Sequence, residues 1–533
     1  MRIKILLISV KDYLKKIPKI LWVIIFFGFL IRFIGIWYGL PLALNIDEPS
    51  VVSSALGLKH NLNPERFDWP HLYFYINGFA YFIFYLFRKF LSLFVTLPDV
   101  WYSTAPFFFV SRLVTVFLGT STIFVIYYLG NLIFKNQKVA LLSALIISVL
   151  PIHVYESHLA KLDVAQTFFV SLSLIFIYKV YQSAKTRDFI LSGIFIGLTT
   201  STKYNGFLLF IILLLAYLLH FKRNKKAWFK IKNILNLIYS GIVSVIVFFI
   251  GTPYALLDHK LFWSHEYGKG VLWQFQNVGK LPWEVYPISL YETFFVMFKQ
   301  DLGFFIWVIF ITLIILFLFF NKRDDKTTLL LFPVIIISFY ISRFNRSPSH
   351  YFLFLSPMYV LVIGKFIYDI LVYSKEKLKF SKKYTNLLLH LLVFILILPS
   401  LLISVSHTYY FSKRDTRNIA YKWVKNNLPD EKDSDYLYVV GDKLDVVPFR
   451  KNQTSRIKKL DRSNIKESPP LYVIIGEYGL KKEDLTTGDR DPETLKGNSK
   501  PILKDADLLL FVDNSDRLGP PIFIFKVNSI EED

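Results

Sequence analysis

Two adjacent carboxylates, Asp47 and Glu48, follow the first long apolar run of the chain and stand directly before Pro49. A carboxylate pair next to a membrane surface can take a proton, bind a cation or orient a polar substrate. The same three residues can also form a turn that caps a short helix. Further along, charges recur at the ends of apolar runs: Arg112; the group His158, Lys161 and Asp163; Lys203 beside Asn205; and Arg343, Arg346, His350 and Tyr351. Ionisable residues at or inside membrane spans are costly, so each is a candidate functional group. Singly, an arginine or lysine there also reaches phosphates by snorkelling. Together they describe carboxylates beside several fixed cations, which suits a substrate that carries a phosphate and must lose a proton.

The elements that position these groups are membrane helices. Hydrophobic residues make up 54% of the 533, aromatics 18%, and the mean hydropathy is +0.43, which marks a polytopic membrane protein. The formal charge of +22 falls in short basic clusters between apolar runs, the pattern of cytoplasmic loops, and not in a nucleic-acid surface. With no cysteine, the chain has no disulfide, thiolate zinc site or thiol nucleophile.

The N-terminal lysines Lys4, Lys11, Lys15, Lys16 and Lys19 precede an apolar run over about 20–42, an uncleaved first span with its basic end inside. Inner loops carry Lys135 and Lys138; Lys185 and Arg187; Lys222, Arg223, Lys225 and Lys226; Lys322, Arg323 and Lys326; and the lysines from Lys375 through Lys379 to Lys383. The remaining spans fall at about 106–134, 139–156, 164–184, a short pair meeting near Lys203, then 233–252, 302–320, 327–342, 351–373 and 386–408, eleven crossings in all. His71 to Val95 is apolar too, but it contains Asn77, Arg88 and Lys89, and counting it as a span would invert every later basic loop. It is read as a helix lying in the outer interface.

Residues 1–409 therefore form a transmembrane domain with external loops at 41–105 and 253–301. The second loop mixes Trp263, Trp273 and Trp283 with His265 and Glu266, either an interfacial aromatic belt or a sugar-binding surface. Residues 410–533 turn polar and form a small extracytoplasmic α/β domain, with a helix over Asp415–Asn427 and strands at Tyr436–Val440, Leu471–Ile475, Leu508–Val512 and Ile522–Val527. No nucleotide-phosphate loop is present.

The order Asp47-Glu48-Pro49, Trp69-Pro70-His71-Leu72-Tyr73, Ser111-Arg112-Leu113, Ser157-His158-Leu159-Ala160-Lys161-Leu162-Asp163, and Gly193 to Gly197 leading to Ser201-Thr202-Lys203-Tyr204 resembles the dolichyl-phosphate-mannose protein mannosyltransferase family and the related bacterial aminoarabinose transferases. The resemblance covers roughly residues 20–360 and implies a GT-C-like fold, a polyprenyl-phosphate sugar donor, and inverting transfer outside the cytoplasm, while the cysteine-free, Lys-, Ile- and Phe-rich composition and short loops point to a plasma membrane. It also implies that Asp47 and Glu48 are catalytic. Trp69-Pro70-His71 departs from the His-Pro-Pro usual in protein mannosyltransferases, and the acceptor stays open among protein, lipid and glycan.

For such a donor, Asp47 is the candidate general base, with Glu48 orienting it or the sugar. Lys203, Arg343 and Arg112, in that order, are the candidates to hold the leaving phosphate. Asp163, Lys161, His158, His71, His265 and Tyr351 are the candidates to bind sugar or acceptor. A divalent ion is a further option, with Asp47, Glu48 and Asp163 as oxygen ligands and His158 and His265 as nitrogen ligands. The competing classes are a transporter or flippase of lipid-linked sugars, and an assembly protein that works through its tail.

Overall fold

The computed structural model describes residues 17–93, 104–225, 231–320, 324–377, 382–428, 436–441, 444–445, 447–449, 454–457, 465, 471–478 and 506–528. Lys4, Lys11, Lys15, Lys16, Lys226, Lys322, Arg323 and Lys379 lie outside them. The chain divides into two compact units. The first comprises Met1–Phe33, Ser50–Pro98 and Val110–Thr408, and the second Ile34–Pro49, Asp99–Phe109 and Tyr409–Asp533.

The first unit is helical. Among the described residues, six helical segments are long and apolar enough to cross a membrane: Ala105–Phe134, Leu162–Ser183, Tyr204–Arg223, Asn233–Gly251, Ser349–Lys377 and Tyr384–Asn427, the first and last of which include residues of the second unit. The bent pair Gln137–Ser148 and Pro151–Ser157 makes a seventh. The other expected spans are helical but shorter, at Lys19–Phe33, Thr186–Thr202, Phe304–Phe319 and Asp325–Ile341. The first helix thus stops nine residues short of the expected end at 42, where Gly35 turns the chain with φ +99°.

Leu72–Leu91 is not among the candidate spans. Tyr73, Phe74, Asn77 and Tyr81 are buried on one side of it while Phe79, Phe82, Phe87 and Phe90 stay exposed. Tyr73 and Tyr81 hydrogen-bond through their hydroxyls to Thr115 and Ser111 on the Ala105–Phe134 helix.

Helices Thr186–Thr202 and Ile231–Gly251 pack together because Gly193 and Gly197 expose bare backbone to Ser240 and Ser244. A Cβ at Gly197 would lie 2.6 Å from the Ser244 carbonyl oxygen, so only glycine permits this approach.

The break between Gln137–Ser148 and Pro151–Ser157, a bend of 55°, frees helix-terminal carbonyls that need donors. Arg32, fully buried, supplies them: Nη1 donates to the Ser148 carbonyl at 2.7 Å and Nη2 to that of Ile147 at 2.9 Å. Nη2 also donates to His153 Nδ1 at 3.0 Å, so one guanidinium ties the first helix to both halves of the bent pair.

The second unit carries the helix Thr416–Asn427, capped by the Asp415 carboxylate, and a five-stranded sheet in the order β2-β1-β3-β5-β4. The strands are β1 Tyr436–Val440, β2 Thr454–Ile457, β3 Leu471–Gly476, β4 Ala506–Val512 and β5 Ile522–Val527. β1 runs parallel to β2 and β3, while β5 runs antiparallel to β3 and β4. Tyr438, Val440, Val473, Ile475, Phe523 and Phe525 form its core.

Candidate active site

In the first unit, two helix ends place opposite charges face to face. Asp163 lies in the first turn of Leu162–Ser183, where the positive end of the helix dipole favours a carboxylate. Lys203 caps the C-terminus of Thr186–Thr202 with an extended backbone, where the dipole favours a cation. Lys203 Nζ donates to Asp163 Oδ1 at 2.6 Å, and the pair is largely buried. The ammonium also lies 4.5 Å from the centre of the Tyr351 ring, a cation–π contact.

Lys203 and Tyr351 line a cavity of about 610 Å³. Its walls are aromatic, with Trp69, Tyr204, Phe275, Tyr340 and Phe344, and a few polar groups line it: Asp68, Asn205, Gln274, Gln276 and Lys280. An apolar cavity with few, placed polar groups is the usual form of a small-molecule site. Asp68 is paired with Arg66, whose guanidinium lies over the Trp69 ring at 4.9 Å. Tyr204 is fixed by donating its hydroxyl to the Phe67 carbonyl at 2.7 Å.

Behind the Lys203–Asp163 pair lies a second polar layer. Lys161 Nζ is 3.1 Å from Glu156 Oε2, and His350 Nδ1 is 3.9 Å from Glu156 Oε1. Asp301, at the end of the Phe298–Leu302 helix, is pushed up to about 7 by burial, and the charge of Glu156 acts in the same direction against a hydrogen bond from Ser349. The sequence reading singled out neither Glu156 nor Asp301. Their signal was present, because a carboxylate at the end of an apolar span invites the same question as Asp163.

His158 is fully buried and bonds through Nδ1 to the Val154 carbonyl at 2.8 Å, one turn back. His71 bonds through Nε2 to the Arg66 carbonyl at 2.8 Å, and burial depresses its imidazole to about 4, so at neutral pH it is an uncharged N–H donor. His71 stacks on Phe67. His265 is exposed. Arg112 is fully buried on Ala105–Phe134, one turn before the Thr115 hydroxyl that meets Tyr73. The Arg343 guanidinium covers the Trp283 ring at 3.2 Å and is not part of the cavity lining, which takes its second lysine from Lys280.

In the second unit, Asp47 is half-buried and directly precedes the helix Glu48–Gly57, and its backbone N–H donates to Asn45 Oδ1 at 3.0 Å. Glu48 is fully buried in the first turn of that helix. Among the described residues, no three His, Asp or Glu side chains are grouped as ligands of a metal ion.

Residues 105–251, which include both Asp163 and Lys203, match the family model described as Dolichyl-phosphate-mannose-protein mannosyltransferase. No curated protein matches the chain. Among solved structures, it is similar to ArnT from Cupriavidus metallidurans bound to undecaprenyl phosphate, with a TM-score of 0.50 and 13% identity over 94% of this chain and 97% of that one. It is also similar to the oligosaccharyltransferase AglB from Archaeoglobus fulgidus in complex with an inhibitory peptide and a dolichol-phosphate, at a TM-score of 0.49 and 13% identity over 94% of this chain and 74% of that one. Against the apo form of the Archaeoglobus fulgidus oligosaccharyltransferase, the TM-score is 0.44 and identity 12%, and the chain spans 64% of that protein's length. The segment 105–251 thus carries the pattern of the mannosyltransferase family that the motifs resemble, on a helical fold similar to that of ArnT.

Proposed function

We propose that this protein is a membrane glycosyltransferase that moves a sugar, mannose or a relative of it, from a polyprenyl-phosphate donor to an acceptor hydroxyl on the extracytoplasmic face of the plasma membrane. The observation that carries the reading is the buried Lys203–Asp163 pair, whose lysine lines an aromatic cavity, both residues lying within the segment that matches the family model. The lipid phosphates bound by ArnT and AglB in their solved complexes are of the same chemical class as the proposed donor.

In this reading Asp47 takes the proton from the acceptor hydroxyl as its oxygen bonds to the anomeric carbon. The bond from that carbon to the phosphate oxygen breaks, and the polyprenyl phosphate leaves with the electron pair. A single displacement inverts the anomeric configuration. Negative charge grows on the leaving phosphate, so cations fixed beforehand favour the transition state over the bound donor. Lys203 is the first candidate, with Lys280 on the same cavity wall, and Arg343 and Arg112 follow it. Asp163 holds the Lys203 ammonium in place. The aromatic walls suit a sugar ring and the start of a lipid chain. Eleven crossings, with residues 410–533 as an extracytoplasmic α/β domain, complete the proposal.

Purified protein given a polyprenyl-phosphate-linked sugar and hydroxyl acceptors should release polyprenyl phosphate and form the product of opposite anomeric configuration. Movement of the donor across a bilayer without phosphate release would favour the flippase instead.

A further inference from the structure

The loop that carries the acidic pair is fastened by residues almost four hundred positions later. Arg417 Nη1 donates to the Leu44 carbonyl at 3.3 Å, three residues before Asp47. Its Nη2 donates to the Tyr38 hydroxyl at 3.0 Å and to Asp415 Oδ2 at 2.8 Å, and its Nε to Asp415 Oδ1 at 2.8 Å. Tyr38 in turn donates to Asp415 Oδ2 at 3.0 Å, and Asn418 Nδ2 donates to the Gly39 carbonyl at 2.8 Å. Asp415 is fully buried, and Tyr38 and Arg417 are buried with it. Asp415 Oδ1 also accepts the Arg417 backbone N–H at 2.9 Å, so the group that caps the Thr416–Asn427 helix aims the guanidinium at the loop.

A buried ion pair is an expensive way to gain stability, since apolar residues of the same volume do as well or better. What this arrangement provides is geometry. A planar guanidinium with both its edges engaged has one orientation, and through Leu44 and Tyr38 it imposes that orientation on the turn leading to Asn45 and Asp47. The Asn45 side chain then accepts the Asp47 N–H at 3.0 Å, which carries the constraint to the base itself.

We infer that Arg417, Asp415 and Tyr38 are positioning residues for Asp47, and that the polar tail is a working part of the transferase through this clamp. The inference rests on the reading of Asp47 as the general base. A base displaced by about 1 Å loses on the order of a hundredfold in rate while the substrate still binds.

Two conservative full-length variants test it. Tyr38→Phe removes a single hydroxyl, and Arg417→Lys keeps the charge but not the fork. Each should elute and unfold as the parent does, bind donor with a KM within about twofold of the parent, and turn over at least about tenfold more slowly, because only the placement of the base has changed. Parental turnover in both variants overturns the inference, as does a loss confined to KM or one that follows the unfolded fraction. Asp47→Asn, assayed alongside, separates the two readings. If it abolishes transfer while the clamp variants remain fully active, the clamp fails and the base stands; if it transfers normally, the base reading itself fails.

Discussion

Lys203 Nζ and Asp163 Oδ1 lie 2.6 Å apart in a largely buried site, joining the C-terminus of one helix to the N-terminus of another beside an aromatic cavity. Removing one member leaves the other charge buried and unpaired, at a cost of about 3–5 kcal/mol. Lys203→Met should therefore lose both stability and transfer. The double variant Lys203→Met/Asp163→Leu removes both charges and should regain most of the stability, as read by thermal unfolding in detergent, yet stay inactive. Transfer that returns with stability would make the pair structural only.

Asp301 gives a pH dependence with a definite sign. Its folded-state value of about 7 lies above its ordinary 3.8, so between these values the folded protein holds a proton that the unfolded chain has released. Stability from this group is present in full below about 3.8 and falls as the pH rises through about 7. Asp301→Asn removes the ionisation and should flatten that slope, by a few kcal/mol between pH 4 and 8 at most. Parallel stability curves for variant and parent would show that Asp301 ionises freely.

Topology can be read by labelling, because the chain has no cysteine of its own. A cysteine at exposed His265 should react with an impermeant thiol reagent applied from outside, and one at Asn224 should not. Labelling at 224 from outside would reverse the proposed orientation of the basic loops.

The helices were legible because apolar runs bounded by basic clusters are a strong signal, and four of the five strands because β-branched and aromatic residues cluster in them. β2, Thr454–Ile457, was not, since a short polar edge strand has no alternating pattern to detect. Lys203 and Asp163 were legible as charges at span ends, but their pairing was not, and Arg343 on Trp283 shows how a cation at a span end can be taken up by a ring instead. The contact between Tyr38 and Arg417 spans 379 positions, and no local pattern announces it. Lys280 and Asp68 joined the cavity for the same reason, because tertiary packing decides which loop residues share a wall.

The central claim is tested most directly by Asp47→Asn, assayed as purified protein with a polyprenyl-phosphate-linked sugar and its acceptor. The amide keeps the size and capping capacity of the carboxylate but cannot take a proton, and general-base catalysis contributes about 10²–10⁴ in rate. The account predicts a folded variant that binds donor and transfers at least about a hundredfold more slowly. Transfer at close to the parental rate would contradict it and leave Asp47 as the turn before a helix.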